Sequence, residues 1–159
     1  MKNIVLIGMP GCGKTSVGRI IAAISGMAFA DSDRIVEEET GLSIPEIFEQ
    51  EGEDAFRIQE ARALEELGKK SGLVIATGGG AVTREENYAS LKRNGIIVFI
   101  ERDISLLARE GRPLSSGSME HMYEQRLPQY RRFADLTVIN SISAEITAQH
   151  ILESARPLT

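Results

Sequence analysis

One cysteine, Cys12, is all that the 159 residues contain. A lone thiol cannot close an internal disulfide or assemble a thiolate metal site, which removes a secreted disulfide scaffold and a structural zinc module from consideration. Long apolar runs are missing as well. The longest, such as Ile96 to Ile100, fall far short of the roughly 18 residues that cross a bilayer. Met1-Lys2-Asn3 leads into a strand pattern rather than a signal h-region, so a soluble, cytoplasmic protein is expected. There is no basic excess either: 18 Lys and Arg face 23 Asp and Glu, a formal net charge of −5. That balance opposes broad attraction to nucleic acid or an anionic membrane, so any anion must be captured by individually placed groups. No internal repeat, linker or low-complexity tract interrupts the chain.

What is present is enough hydrophobic residue, 42%, to furnish one core, and the length fits a single domain over 1–159. Lys2 to Ile7 is an apolar, β-branched run of the kind found in a buried parallel strand. Val17, Ile20, Ile21 and Ile24 then recur at helical spacing between Lys14 and Ser25. Further strands are expected at Met27–Asp31, Leu73–Thr77, Ile96–Glu101 and Leu136–Ile139. Helices are expected over Asp33–Thr40, after a Ser43 cap with Pro45 in the first turn, over Glu53–Lys70, after a Thr83-x-x-Glu86 capping box, from Asp103 to about Arg109, up to about Phe133, and at the C-terminus. This alternation implies an α/β fold, a three-layer sandwich whose central parallel sheet has about five strands. Such sheets bind ligands beyond the carboxyl ends of their strands.

Three candidate loops lie there. Gly8-Met9-Pro10-Gly11-Cys12-Gly13-Lys14-Thr15 fits the Walker A pattern between a strand and a helix. Its glycines let successive N–H groups and a helix N-terminus close on phosphate oxygens. Gly11, Cys12, Gly13, Lys14, Thr15 and Ser16 are the expected nucleotide-binding set, with Lys14 on the β- and γ-phosphates of ATP and the Thr15 hydroxyl on Mg²⁺. Cys12 is expected to be a small filler rather than a nucleophile, and His121 and His150 to be helix-surface residues. Asp31-Ser32-Asp33 places two carboxylates at the end of the second strand, where extended chain would point them the same way. One acid can serve the metal, the other an attacking hydroxyl. The third loop is Gly78-Gly79-Gly80.

The phosphate loop, Asp31-Ser32-Asp33, Phe56-Arg57, Gly78-Gly79-Gly80, Arg112-Pro113-Leu114 and Arg126-x-x-x-Tyr130 occur in the order and approximate spacing of the shikimate kinase family, which the chain resembles over almost its whole length. The resemblance implies a P-loop NTPase fold with a short lid at about 109–118 and acceptor-binding helices at about 33–60. It implies ATP-dependent phosphorylation of the shikimate 3-hydroxyl to shikimate 3-phosphate, a step toward chorismate and the aromatic amino acids, by a monomer. It implies that Lys14, Asp33 and Arg112 are catalytic, Asp33 as base or orienter of the acceptor hydroxyl. Asp31 would help Thr15 hold Mg²⁺ through water. Arg57 and Arg126 would clamp the substrate carboxylate, Gly78, Gly79 and Gly80 would line the acceptor, Ile44, Phe48 and Phe56 would wall its ring, and Arg109 would touch the nucleotide. A planar guanidinium suits that carboxylate task, because it pairs bidentately.

The chain departs from the family pattern in a short stretch between Arg109 and Arg126. It departs again after the last strand, where Asn140-Ser141-Ile142-Ser143 replaces the usual arginine and proline. A gluconate or nucleoside kinase would keep Lys14 and Thr15 with other acceptor residues. A nucleotide-binding module without catalysis would bind ATP and phosphorylate nothing.

Overall fold

The computed structural model describes residues 1–103, 116–140 and 143–158, the side chains of 116–118 aside. Five strands, β1 (Asn3–Ile7), β2 (Ala28–Asp31), β3 (Leu73–Ala76), β4 (Gly95–Glu101) and β5 (Leu136–Ile139), form one sheet in the order β2-β3-β1-β4-β5. Every pairing is parallel. The apolar run Asn-Ile-Val-Leu-Ile of β1 is buried throughout, as its central position demands. At the edge, β5 alternates, leaving Ile139 exposed.

Described helices are α1 (Lys14–Ser25), α2 (Ser32–Thr40), α3 (Ile44–Glu51), α4 (Glu53–Gly68), α5 (Glu86–Lys92), α6 (Ser116–Phe133) and α7 (Ala144–Ala155), with short 3₁₀ turns at Ala81–Thr83 and Arg156–Leu158. Helix α1 packs beside α7, and α4 beside α5. The α6 helix is pinned to the sheet by aromatic stacking of Tyr130 on Phe99, with ring centroids 4.9 Å apart. The main core gathers the inner strands with Val17, Ile21, Leu64, Leu67, Leu91 and Phe133. A second, smaller cluster of Val36, Ile47, Phe56 and Ala63 joins α2, α3 and α4.

Two local expectations need correction. Thr83 and Glu86 form no capping box: the Thr83 hydroxyl donates to the Gly80 carbonyl at 2.6 Å, closing the 3₁₀ turn, and α5 begins at Glu86 without a side-chain cap. A hydroxyl spent on the turn behind it does not hold the helix ahead. Chain direction also changes sooner than expected after β2. Helix α2 starts at Ser32, so Asp31 and Asp33 are not alternate residues of one extended strand. The Ser43 cap, in contrast, forms a full capping box with Glu46 and carries Pro45 in the first turn.

Candidate active site

The carboxyl ends of β1, β2 and β3 bring the three loops together. In the first, Gly13 has φ +101°, a backbone state that favours glycine, and a Cβ there would also overlap the Asn140 amide nitrogen. Lys14 is 8% exposed, and its ammonium donates to the carbonyls of Gly8 at 2.6 Å and Met9 at 2.9 Å. The loop therefore keeps its cation folded over its own mouth. Cys12 is fully buried behind it, in keeping with the filler role.

Asp31 divides its carboxylate between two neighbours. Its Oδ1 accepts from the Asp33 and Arg34 backbone N–H groups at 3.0 and 3.4 Å, capping α2. Its Oδ2 accepts from the Thr15 hydroxyl at 3.3 Å. A hydroxyl and a carboxylate oxygen are the hard donors that Mg²⁺ takes when it keeps most of its waters, so this pair fits the expected metal.

Asp33 sits deeper. Burial pushes its carboxyl up to about 6, helped by the Glu60 and Asp31 carboxylates and opposed by Lys14 and Arg57. Its Oδ1 is buried with no hydrogen-bond partner among the described residues, and so is Oε2 of Glu60. Both oxygens face Gly78: a Cβ at that glycine would lie 2.6 Å from Asp33 Oδ1 and 2.9 Å from Glu60 Oε2.

None of the three adjacent glycines has positive φ. Their small size is what the site uses. A Cβ on Gly79 would press on the Pro10 ring of the phosphate loop at 2.6 Å, and one on Gly80 would overlap the Arg57 guanidinium. The Gly79 carbonyl accepts from the Tyr130 hydroxyl at 2.6 Å, tying the glycine loop to α6. Arg57 is 6% exposed and donates to Glu60 at 2.9 Å and Glu53 at 3.3 Å. Burial pushes the Glu60 carboxyl and the Tyr130 hydroxyl up, and Arg126, on α6, is close enough to oppose both shifts. It lines an open cleft of about 610 Å³ with Glu53, Thr83, His121 and Gln125.

A family model described as shikimate kinase matches residues 10–156. The chain belongs to the shikimate kinase family. Among curated members, the shikimate kinase of Thioalkalivibrio sulfidiphilus is 42% identical over 146 residues, covering 86% of this chain and 77% of its own. That of Vibrio parahaemolyticus is 39% identical over 163 residues, covering 96% and 95%. A solved shikimate kinase from Acinetobacter baumannii, in complex with shikimate, superposes with a TM-score of 0.93 at 38% identity, covering all of this chain and 95% of its own. A Sinorhizobium meliloti gluconokinase shares the fold at 19% identity and a TM-score of 0.60.

In this shikimate kinase family member Thr15 meets Asp31, Lys14 and Arg57 act on the Asp33 carboxyl, the glycine triplet approaches Asp33, Pro10 and Arg57, and Arg126 acts on Glu60. Arg109 and Arg112, with the expected lid as far as residue 115 and most of the helix expected from Asp103 to about Arg109, lie outside the described residues, while residues 116–118 already belong to α6. Phe48 is 39% exposed and touches Phe56 at 5.2 Å between centroids, whereas Phe56 itself is buried in the smaller core. His121 and His150 are exposed on helices. Sequence reasoning missed Glu60, which is fully buried and ion-paired with Arg57. Its spacing of three from Arg57 on a helix was the available signal. Also missed was Arg102, which donates to the Gly11 carbonyl at 2.9 Å. Among the described residues no three His, Cys, Asp or Glu side chains gather into a metal cluster, and no helix is long and apolar enough to cross a membrane.

Proposed function

We propose that this chain transfers the γ-phosphate of ATP to the 3-hydroxyl of shikimate, giving shikimate 3-phosphate and ADP, as a single-domain cytoplasmic monomer. The observation that carries the reading is the buried, unpartnered Asp33 Oδ1, set between the phosphate loop and the Arg57 guanidinium. An orphaned buried acceptor is costly unless a ligand completes it, and an acceptor hydroxyl does so. The shikimate held by the Acinetobacter relative, which aligns over the whole of this chain, supports the choice of acceptor.

In this reading Lys14 exchanges the Gly8 and Met9 carbonyls for the β- and γ-phosphates. Arg57 and Arg126 pair with the acceptor carboxylate, while Glu53 and Glu60 keep Arg57 oriented. Gly78, Gly79 and Gly80 leave room for the acceptor ring and offer it backbone N–H groups. Asp33 accepts the hydroxyl proton as the oxygen attacks phosphorus. Thr15 and Asp31 would hold Mg²⁺, which neutralises charge on the phosphates when bound. Arg112 would add positive charge to the transferring group, and Arg109 would touch the nucleotide.

A coupled ADP-release assay with ATP, Mg²⁺ and shikimate tests this, with Lys14→Ala and Asp33→Asn as controls. Turnover in the wild type that is lost in both variants is the expected result. Preference for gluconate or a nucleoside across an acceptor panel would overturn the acceptor. Tight ATP binding without any phosphorylation would overturn catalysis.

A further inference from the structure

Beyond β5 one side chain reaches the phosphate loop and has no part in the chemistry above. Asn140 is held at the carboxyl edge of the sheet by its backbone N–H, which donates to the Glu101 carbonyl at 2.8 Å. Its side-chain Nδ2 donates to the Cys12 carbonyl at 2.9 Å. Because a carbonyl only accepts, the amide must present its nitrogen there. That leaves Oδ1 facing the Thr147 hydroxyl, 2.9 Å away. Thr147 is 2% exposed, and its hydroxyl has two acceptors within reach, Asn140 Oδ1 and the Ser143 carbonyl at 3.0 Å.

Neighbouring peptides show what this contact adds. The Gly11–Cys12 peptide is held at both ends: Arg102 donates to the Gly11 carbonyl at 2.9 Å, and the Cys12 N–H donates to the Met9 carbonyl at 3.1 Å. The next peptide, Cys12–Gly13, has its carbonyl held by Asn140. Peptide planes are rigid and, among the described residues, free of cis bonds, so a carbonyl drawn outward aims the N–H on its far side inward. Here that N–H belongs to Gly13, beside the start of α1, where a phosphate would sit.

We propose that Asn140, oriented by Thr147, is a positioning residue that sets the Cys12–Gly13 peptide so that the Gly13 N–H faces the β-phosphate of the nucleotide. The proposal rests on the ATP-dependent reading above but not on the choice of acceptor. It also gives Asn140, the first residue of the departure from the family pattern after the last strand, a task in phosphate binding.

The test measures ADP affinity by calorimetry, together with KM for ATP and for shikimate, in wild type, Asn140→Ala and Thr147→Val. Asn140→Ala is expected to weaken ADP binding and raise KM for ATP by roughly five- to tenfold, the scale of one hydrogen bond. KM for shikimate should stay within about twofold, since no acceptor-side residue is disturbed. Thr147→Val should move the same two quantities by about two- to threefold, through looser orientation of the amide. ADP binding needs no acceptor, so the comparison stands even if the protein phosphorylates something other than shikimate. Unchanged ADP affinity in Asn140→Ala would overturn the proposal, as would equal losses for both substrates that track a lowered Tm. If Asn140→Ala fails to fold, Thr147→Val decides, and unchanged ADP affinity there overturns it.

Discussion

Between Gly8 and Thr15 the protein arranges backbone, whereas around Asp33 it arranges side chains. The proposed phosphate side is one continuous stretch, with Gly8, Gly11 and Gly13 all at positive φ and carbonyls tied back by Arg102 and Asn140. The proposed acceptor side draws Asp33 from α2, Arg57 and Glu60 from α4, glycines from the loop after β3, and Arg126 from α6. Local geometry can cradle a phosphate common to every nucleotide. Recognising one acceptor needs charges converging from several elements, with desolvation setting their strength. The glycine triplet joins the halves, touching Asp33 and Glu60, Pro10 and Arg57 in turn.

That division can be broken most severely at Asp33. Asp33→Asn should lower turnover by about 10²- to 10⁴-fold, the usual worth of a general base, with ADP affinity nearly unchanged by calorimetry. The same substitution should raise Tm at pH 8 by a few degrees. Its sign follows from the raised carboxyl: between its ordinary value of 3.8 and about 6 the folded protein holds the extra proton, so stability falls as pH rises through that window. Asparagine removes that cost. A Tm that drops instead would mean that the Asp33 charge is compensated in the empty protein.

Arg126→Ala should raise KM for shikimate by roughly 10- to 100-fold, the range for a charge-assisted hydrogen bond. KM for ATP should hardly move, and an equal change in both would erase the boundary between the halves. Gly79→Ala and Gly80→Ala sharpen the same boundary. Gly80→Ala displaces the flexible end of Arg57 and should affect the acceptor alone, by about tenfold in KM. Gly79→Ala presses on the Pro10 ring and should raise both constants.

In wild type, kcat/KM for shikimate should decline on the acid side with an apparent midpoint near 6, as Asp33 takes up a proton. A flat profile from pH 5 to 8 would remove Asp33 as the base. The smallest effect is expected from Tyr130→Phe, which deletes the hydroxyl on the Gly79 carbonyl and should cost about 1 kcal/mol in urea unfolding.

The contrast also explains what was readable in advance. Element order was legible because apolar runs and helical spacing are local, and the Walker A string carries its chemistry in consecutive residues. Strand order was not, since neither β1 nor β4 states which strand it will pair with. Asp31 and Asp33 were recognised as a pair, but the argument from extended chain failed: the Asp31 cap starts α2 one residue later. Glu60 reads as an ordinary acid in a charged helix, and only the tertiary fold buries it completely. Asn140 was visible only as a departure from the family pattern, because its partners Cys12 and Thr147 meet it through loop packing rather than periodicity.

The smaller hydrophobic cluster gives the two sides unequal mechanical footing. Helix α4 spans both foundations, with Leu64 and Leu67 in the main core and Phe56 and Ala63 in the minor one. Few buried contacts mean cheap local opening. Backbone amides of α2, α3 and the start of α4 should therefore exchange with solvent deuterium before those of β1 and β4, while the far end of α4 stays protected. The acceptor floor would loosen about a point within a single helix, and the sheet that carries the phosphate loop would keep its shape.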